Sequence, residues 1–303
     1  MTDIELTPKD YAISNSEVMC FAKCRRKHYY EFLERLTPVQ QGEALYRGIQ
    51  GHELLDLYYT ALKEGSAIPV AERIALNALD ADIAVCFSSG NFDQANILTG
   101  LKDTMISYFG YAQGDDWEIL AVEESYIQEF DGMLVGMRLD LLIVPRSGQF
   151  RGQKILVDHK FSYAKWSEND VLLNGQPYKY GAIMRTQGHD VKHVMYNTIL
   201  YRSKTEIVDR KMLTMTHAQQ DTAIRDHLLY AKEIQAAKVG HDINPSQYES
   251  TRAARCLDRY TCKMCSFKDV CLAEMSGKTP ATELMRRVNY TNNDYGYVIP
   301  VGG

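Results

Sequence analysis

The chain has 303 residues, 45% of them hydrophobic and 24% charged, with a formal net charge of −5. That length accommodates one large domain or a core with a second lobe. No stretch approaches a membrane-spanning helix, and the polar, acidic start MTDIELTPKDY is unlike a signal peptide, so no membrane partner and a cytoplasmic location are expected. The acidic balance does not favour nucleic-acid binding by itself. It does not exclude it either, because an enzyme that gathers carboxylates around cations can be acidic overall and locally basic.

Residues 14–36 read as a helix, with Ser14 and Ser16 suited to its cap and Glu17 to its first turn. It carries CRRKHYYEF, where Arg25, Arg26 and Lys27 stand beside Tyr29, Tyr30 and Phe32. Two readings stay open for this run. It can hold a DNA strand, with phosphate on the cations and bases on the tyrosines, or it can be a solvated face with the tyrosines in the core. Residues 43–112 are helical in three segments, broken near Gly65 and over 88–91. At Trp117 the texture changes. Segments 117–130, 133–144 and 153–161 are rich in Val, Ile, Leu, Tyr and Phe, are separated by Asp131-Gly132 and by 145–152, and read as three antiparallel strands. Next come a helix over 176–187, a fourth strand over 191–201 and a long amphipathic helix over 216–239, opened by Thr216 and Gln219 at capping-box spacing. From Gly277 apolar periods are few, and the tail reads as mobile or as an extended arm. No Gly-rich phosphate loop with Lys-Ser/Thr is present.

The segment KILVDHKFS, 154–162, carries the most chemistry. Residues two apart on a strand share a face, so Asp158 and Lys160 point one way and His159 the other. Asp140 lies in the otherwise apolar run VGMRLDLLIV, where an acid is costly to bury unless paired or bound to a cation. Two acids from neighbouring strands make a hard-oxygen metal site, and a lysine beside them can orient water or offset phosphoryl charge. The same residues read equally well as a strand-end ion pair and a salt-bridged aspartate.

Further residues join this set: Gly48 and His52 in YRGIQGHELL, Glu123 on the preceding strand, and Gln176 and Tyr180 in GQPYKYG. Singly, each reads as an ordinary surface polar group. Their order, however, resembles the RecB-like branch of the PD-(D/E)XK nucleases, which runs G-x-x-x-H, acid, G-x-x-D, (D/E)-x-K, Q-x-x-x-Y. The resemblance implies that His52, Asp140 and Asp158 bind Mg2+ or Mn2+ with help from the His159 carbonyl. It implies that Lys160 assists the attacking water and that Gln176 and Tyr180 contact substrate phosphate or order the site. Two departures stand out: Gly136 precedes Asp140 by one residue more than usual, and the second acid is Asp158 where Glu is commoner.

The seven cysteines are Cys20, Cys24, Cys86, Cys256, Cys262, Cys265 and Cys271. Four of them fall in RCLDRYTCKMCSFKDVC, a spacing that points to bound metal rather than disulfides. Read locally, Cys256, Cys262, Cys265 and Cys271 form a zinc site. The iron–sulfur subgroup of the same family has one cysteine ahead of the G-x-x-x-H helix and a closing C-x2-C-x5-C run. It includes CRISPR-adaptation nucleases and the nuclease domains of AddB-type recombination proteins. Resemblance to it implies a [4Fe-4S] cluster on Cys24, Cys262, Cys265 and Cys271, with zinc as the alternative. Cys20 and Cys86 read as small buried residues.

The expected fold is α/β: a restriction-endonuclease-like mixed sheet flanked by helices, with a helical insertion and a cysteine-cluster clasp joining the N- and C-terminal regions. The expected divisions are 1–42 (N-terminal helix), 43–115 (helical lobe), 116–240 (nuclease core), 241–276 (cysteine region) and 277–303 (tail). The expected activity is metal-dependent hydrolysis of DNA by an exonuclease, with recombination or adaptation proteins as partners. The rival is a non-catalytic DNA-binding scaffold of the same fold.

Overall fold

A computed structural model of the chain describes residues 12–39, 42–201, 206–244, 253–277 and 279–292. The chain divides into two compact units, residues 1–41, 126–137 and 224–303 in one, and 42–125 and 138–223 in the other.

Strand β1 (Ile13–Ser14) leads into α1 (Asn15–Lys23), where Ser14 caps the helix by accepting the Glu17 N–H at 3.1 Å. The single helix expected over 14–36 is broken at Cys24. That residue is extended (φ −160°), and its sulfur accepts the Lys27 N–H to cap α2 (Arg25–His28). A π-helical turn over Tyr29–Leu33 and β2 (Leu36–Pro38) follow. Helices α3 (Glu43–Lys63), α4 (Ile68–Ser88) and α5 (Phe92–Ala112) match the three expected segments. Gly65 (φ +91°) and Gly90 (φ +75°) take the left-handed conformation that closes the first two without a Cβ penalty.

The next two expected strands each split in two. Segment 117–130 becomes β3 (Trp117–Val122) and β4 (Ser125–Phe130), while 133–144 becomes β5 (Met133–Arg138) and β6 (Leu141–Pro145). Asp131 (φ +50°) and Gly132 (φ +75°) form the left-handed two-residue turn between β4 and β5. Then come β7 (Ile155–Ser162), α6 (Glu168–Leu172), α7 (Gln176–Thr186), β8 (His193–Leu200), β9 (Val208–Thr214) and α8 (His217–Ile243). The chain continues with α9 (Arg259–Lys263), α10 (Lys268–Met275), α11 (Thr279–Asn289) and β10 (Tyr290–Asn292). The arm expected past Gly277 is thus helical over α11, and the rest of that tail lies outside the described residues.

In the unit of 42–125 and 138–223 the sheet order is β3-β6-β7-β8-β9. Pairings are antiparallel except β7 with β8, whose parallel crossover carries α6 and α7. Leu54, Leu55, Tyr58 and Tyr59 of α3 and Leu101, Met105 and Tyr108 of α5 bury against Leu141, Ile143, Ile155, Val157 and Ile199 of the sheet. In the other unit β1-β5-β4 form a sheet and β2 pairs with β10. Ile13, Phe21, Tyr29, Tyr30, Ala231, Ile234, Phe267 and Val270 make its core. Among the described residues no helix is long and apolar enough to cross a membrane. The architecture is mixed α/β with helices flanking the sheets, as expected.

Candidate active site

Helix α3 brings His52 to the sheet, and two contacts on either side of it set the approach. A Cβ on Gly51 would lie 2.2 Å from Cζ of Phe161, so the helix backbone rests on the ring just past Lys160. Two turns beyond His52, Tyr59 stacks on the His159 ring at 5.5 Å and 16°. Gly48, the glycine of the G-x-x-x-H pattern, has nothing within 4 Å of an added Cβ. The glycine that the packing requires is therefore Gly51.

Glu123 and Asp140 sit opposite each other where both long strands break. The Glu123 N–H donates to the Asp140 carbonyl at 2.9 Å, and the Leu139 N–H to the Glu124 carbonyl at 3.0 Å. Glu123 is left-handed (φ +47°), a conformation that costs a residue with a Cβ about 1–2 kcal/mol and that clusters at functional sites. The kink aims both carboxylates at His52, whose Nδ1 lies 3.7 Å from Glu123 Oε1 and 3.7 Å from Asp140 Oδ2. Ligand atoms of these three residues fall within 4.8 Å of one another, the one such group among the described residues. Arg138 Nε lies 2.8 Å from the outer Glu123 oxygen.

Asp140 also belongs to a second group. Its Oδ2 accepts the His159 N–H at 2.7 Å, and with Asp158, Gln176 and Tyr180 it lines a cavity of about 10 Å³, room for about one water. Gln176 Nε2 donates to the Tyr180 hydroxyl at 3.1 Å. Lys160 Nζ lies 2.8 Å from the Asp158 carboxylate, on the strand face opposite the buried His159, as the alternation required. Both Asp158 oxygens face that ammonium, Oδ1 and Oδ2 each at 2.8 Å.

The charges explain one another. Burial, together with the neighbouring Asp158 and Glu123, pushes the Asp140 carboxyl up to about 7, against the pull of His52 and Lys160. Burial would depress His52, but Glu123 and Asp140 outweigh it and raise the imidazole. Burial would likewise depress Lys160, yet Asp158 and Asp140 raise it, so the ammonium stays charged. Burial pushes the Tyr180 hydroxyl up, leaving it protonated as a donor. Three carboxylates and an imidazole suit a hard divalent cation.

A buried relay supports the Asp158-His159-Lys160 strand from behind. Asn197, the register partner of His159 on β8, places Nδ2 2.8 Å from His159 Nδ1 and 2.9 Å from the Tyr108 hydroxyl. Arg210 Nε donates to Asn197 Oδ1 at 2.9 Å, and its two terminal nitrogens meet Asp115 at 2.6 and 2.7 Å. Trp117 and Tyr111 cover the guanidinium, each 4.7 Å away. No spacing rule identifies Asn197, Arg210 or Gly51, because their partners lie on other elements. A glycine directly before His52 was the one local hint.

The other expected site residues lie in the unit of 1–41, 126–137 and 224–303. Arg26 is buried, and its guanidinium is held by Glu274, which also accepts from Tyr30, Arg255 and Arg286. It is therefore committed to the core, and a phosphate contact by Arg26 does not fit that placement. Arg25 pairs with Glu233 at the surface, and Lys27 lies 3.2 Å from Glu31. Tyr29 and Tyr30 are core residues. Cys24, Cys256, Cys262, Cys265 and Cys271 all line one cavity of about 60 Å³. Cys256 and Cys262 are 3.8 Å apart at sulfur, but no three of these sulfurs lie within 4.8 Å of one another. Cys20 and Cys86 are buried, as expected.

Comparison with known proteins adds the family. The sequence profile of the PD-(D/E)XK nuclease superfamily matches residues 12–272. Among solved structures, the chain is similar to the protein SSO0001, at 12% identity over 87% of each chain with a TM-score of 0.39. It is also similar to a candidate exonuclease from Eubacterium rectale, at 15% identity over 86% of this chain and 91% of that one, with a TM-score of 0.43. No curated protein matches in sequence. Nucleases of this superfamily are hydrolases that use divalent metal, which is the chemistry the carboxylates around Asp140 suit. The match spans most of the chain and includes every residue gathered at that site, so this protein belongs to the PD-(D/E)XK nuclease superfamily.

Proposed function

We propose that the protein is a Mg2+- or Mn2+-dependent DNA exonuclease of the RecB-like kind. The observation that carries this reading is the convergence of His52, Glu123, Asp140 and Asp158 beside the charged Lys160. His52, Glu123 and Asp140 would hold one cation, with Asp158 completing its oxygen ligands. When bound, the cation polarises a phosphoryl oxygen and makes water a better nucleophile. The His159 N–H fixes the Asp140 carboxylate. Lys160, kept as an ammonium, offsets charge building on the phosphoryl oxygens. Tyr180 and Gln176 offer a hydroxyl and an amide to substrate phosphate or to the water between them. Acting on DNA ends in recombination, repair or spacer processing follows from the motif resemblance.

The motif resemblance puts a [4Fe-4S] cluster on Cys24, Cys262, Cys265 and Cys271, four of the five cysteines that line one cavity, with zinc as the alternative. A tetrahedral zinc with Zn–S of about 2.3 Å draws all four sulfurs to within about 3.8 Å of one another. The Cys256–Cys262 pair has that spacing, which is what the zinc alternative uses.

The test is an anaerobic nuclease assay on end-labelled single- and double-stranded DNA with Mg2+ or Mn2+. The wild type releases short products from the ends, and Asp158→Ala abolishes them. No cleavage of any DNA form by metal-loaded protein would leave the scaffold reading instead. A brown protein that loses its visible absorbance in Cys24→Ala but keeps it in Cys256→Ala supports the cluster. A colourless protein with stoichiometric zinc overturns it.

A further inference from the structure

Immediately past Lys160 the chain leaves β7 as a short segment that buries little of itself. Tyr163 is 42% exposed, Leu172 52% and Leu173 84%, and within α6 only Val171 is buried. Trp166 is the exception in how it is held. Its indole stacks on Tyr196 at 5.3 Å and 29°, and Tyr196 is fully buried on β8, in register with Asp158. Lys160 Nζ lies 5.7 Å from the indole centroid. The result is a half-buried ring, backed by a core tyrosine and lying under the ammonium of the lysine that faces the carboxylates. Neither the motif set nor the metal-ligand geometry uses it.

A flat aromatic surface within one nucleotide's reach of a phosphate-attracting ammonium suits a nucleobase. Every base has a π-face, so such stacking is sequence-tolerant. A base inside a duplex has both faces covered by its neighbours and cannot supply one to a protein ring without leaving the stack. We propose that Trp166, backed by Tyr196, is a stacking platform for an unpaired nucleobase next to the scissile phosphate. Single-stranded or frayed ends are then the substrate class. This rests on the nuclease reading of the Asp140 site and adds the polynucleotide form that the site selects.

The chain has two tryptophans, Trp117 and Trp166, which makes emission a direct readout. The experiment uses the full-length protein with Ca2+ replacing Mg2+ or Mn2+ to hold back cleavage. A fluorescein-labelled single-stranded oligonucleotide reports binding by anisotropy, and an unlabelled copy reports tryptophan emission. Binding quenches emission in the wild type and leaves it unchanged in Trp166→Phe, where only Trp117 remains. Trp166→Ala weakens single-strand binding by about tenfold or more, the range found for loss of one stacking partner, while Trp166→Phe keeps most of the affinity. Blunt duplex binds without the quench. Binding with unaltered wild-type emission, or Trp166→Ala binding as tightly as wild type, overturns the platform and leaves the nuclease reading standing. An equal quench by blunt duplex overturns the unpaired-base requirement. No binding of any oligonucleotide overturns both.

Discussion

Two glycines three residues apart on α3 separate packing from pattern. At Gly48 an alanine Cβ meets nothing within 4 Å, so Gly48→Ala gains only helix propensity, about 1 kcal/mol. At Gly51 the same gain is set against Phe161, with three ring carbons 2.2 to 2.5 Å from the new Cβ. Either the ring leaves its place beside Lys160 or the helix lifts from β7. Overpacking of this kind costs about 1–3 kcal/mol, so the net change is a loss of about 0–2 kcal/mol. The functional effect should exceed the stability effect, because a lifted helix carries His52 away from Glu123 and Asp140. Urea unfolding gives the stabilities, and titration with Mn2+ gives the cation affinity. We expect Gly48→Ala to be more stable than wild type with unchanged Mn2+ binding. Gly51→Ala should be less stable than Gly48→Ala and bind Mn2+ at least about tenfold more weakly, the scale of losing support around a metal ligand. Phe161→Ala should restore part of that affinity in the Gly51→Ala background. A Gly51→Ala protein as stable as Gly48→Ala, with wild-type Mn2+ affinity, would show that the Phe161 contact does not hold α3 in place.

Glu123→Asn should raise stability by about 0.5–1 kcal/mol, because asparagine tolerates the left-handed backbone better, while weakening Mn2+ binding. Urea midpoints and Mn2+ titrations on one preparation check both signs. Arg210→Ala leaves the half-buried Asp115 without its cation and the buried Asn197 without its donor, a loss of about 1–3 kcal/mol by thermal or urea unfolding. Metal affinity should fall as pH drops through about 7, because Asp140 takes a proton there that competes with the cation; calorimetric Mn2+ titrations from pH 6 to 8 measure it. Acid should weaken the other unit for a different reason. Burial would raise Glu17 and Glu274, but His28 and Lys238 lower the first and Tyr30, Arg26 and Arg286 the second. Carboxyls with lowered folded values add stability that is complete above their ordinary value of 4.5 and is lost as pH falls through the lowered values. Unfolding followed at Tyr29 and Tyr30 should therefore become easier below pH 4.5, and an unchanged midpoint there would contradict the pairing.

Local pattern alone was enough to place the faces of strand β7. The alternation of apolar and polar residues in KILVDHKFS determined that Asp158 and Lys160 share a face and that His159 is buried behind them, because side chains on a strand alternate whatever surrounds them. The three helices of 43–112 were equally legible, since 3.6-residue periodicity and glycine breaks are local signals. Where the strands of 117–144 break was not. Strand propensity runs continuously through Glu123 and Asp140, and the left-handed backbone at Glu123 that breaks the ribbon is not a local signal. Glu123, an ordinary strand acid by local pattern, accordingly forms one corner of the metal-capable trio, while Arg26, a surface cation by local pattern, lies in a buried pair with Glu274. Local sequence sets which residue types are available and which neighbours along the chain face the same way. Tertiary structure alone decided which acids converge, which glycine must stay bare and which arginine reaches solvent, because those outcomes depend on packing between elements far apart in the chain.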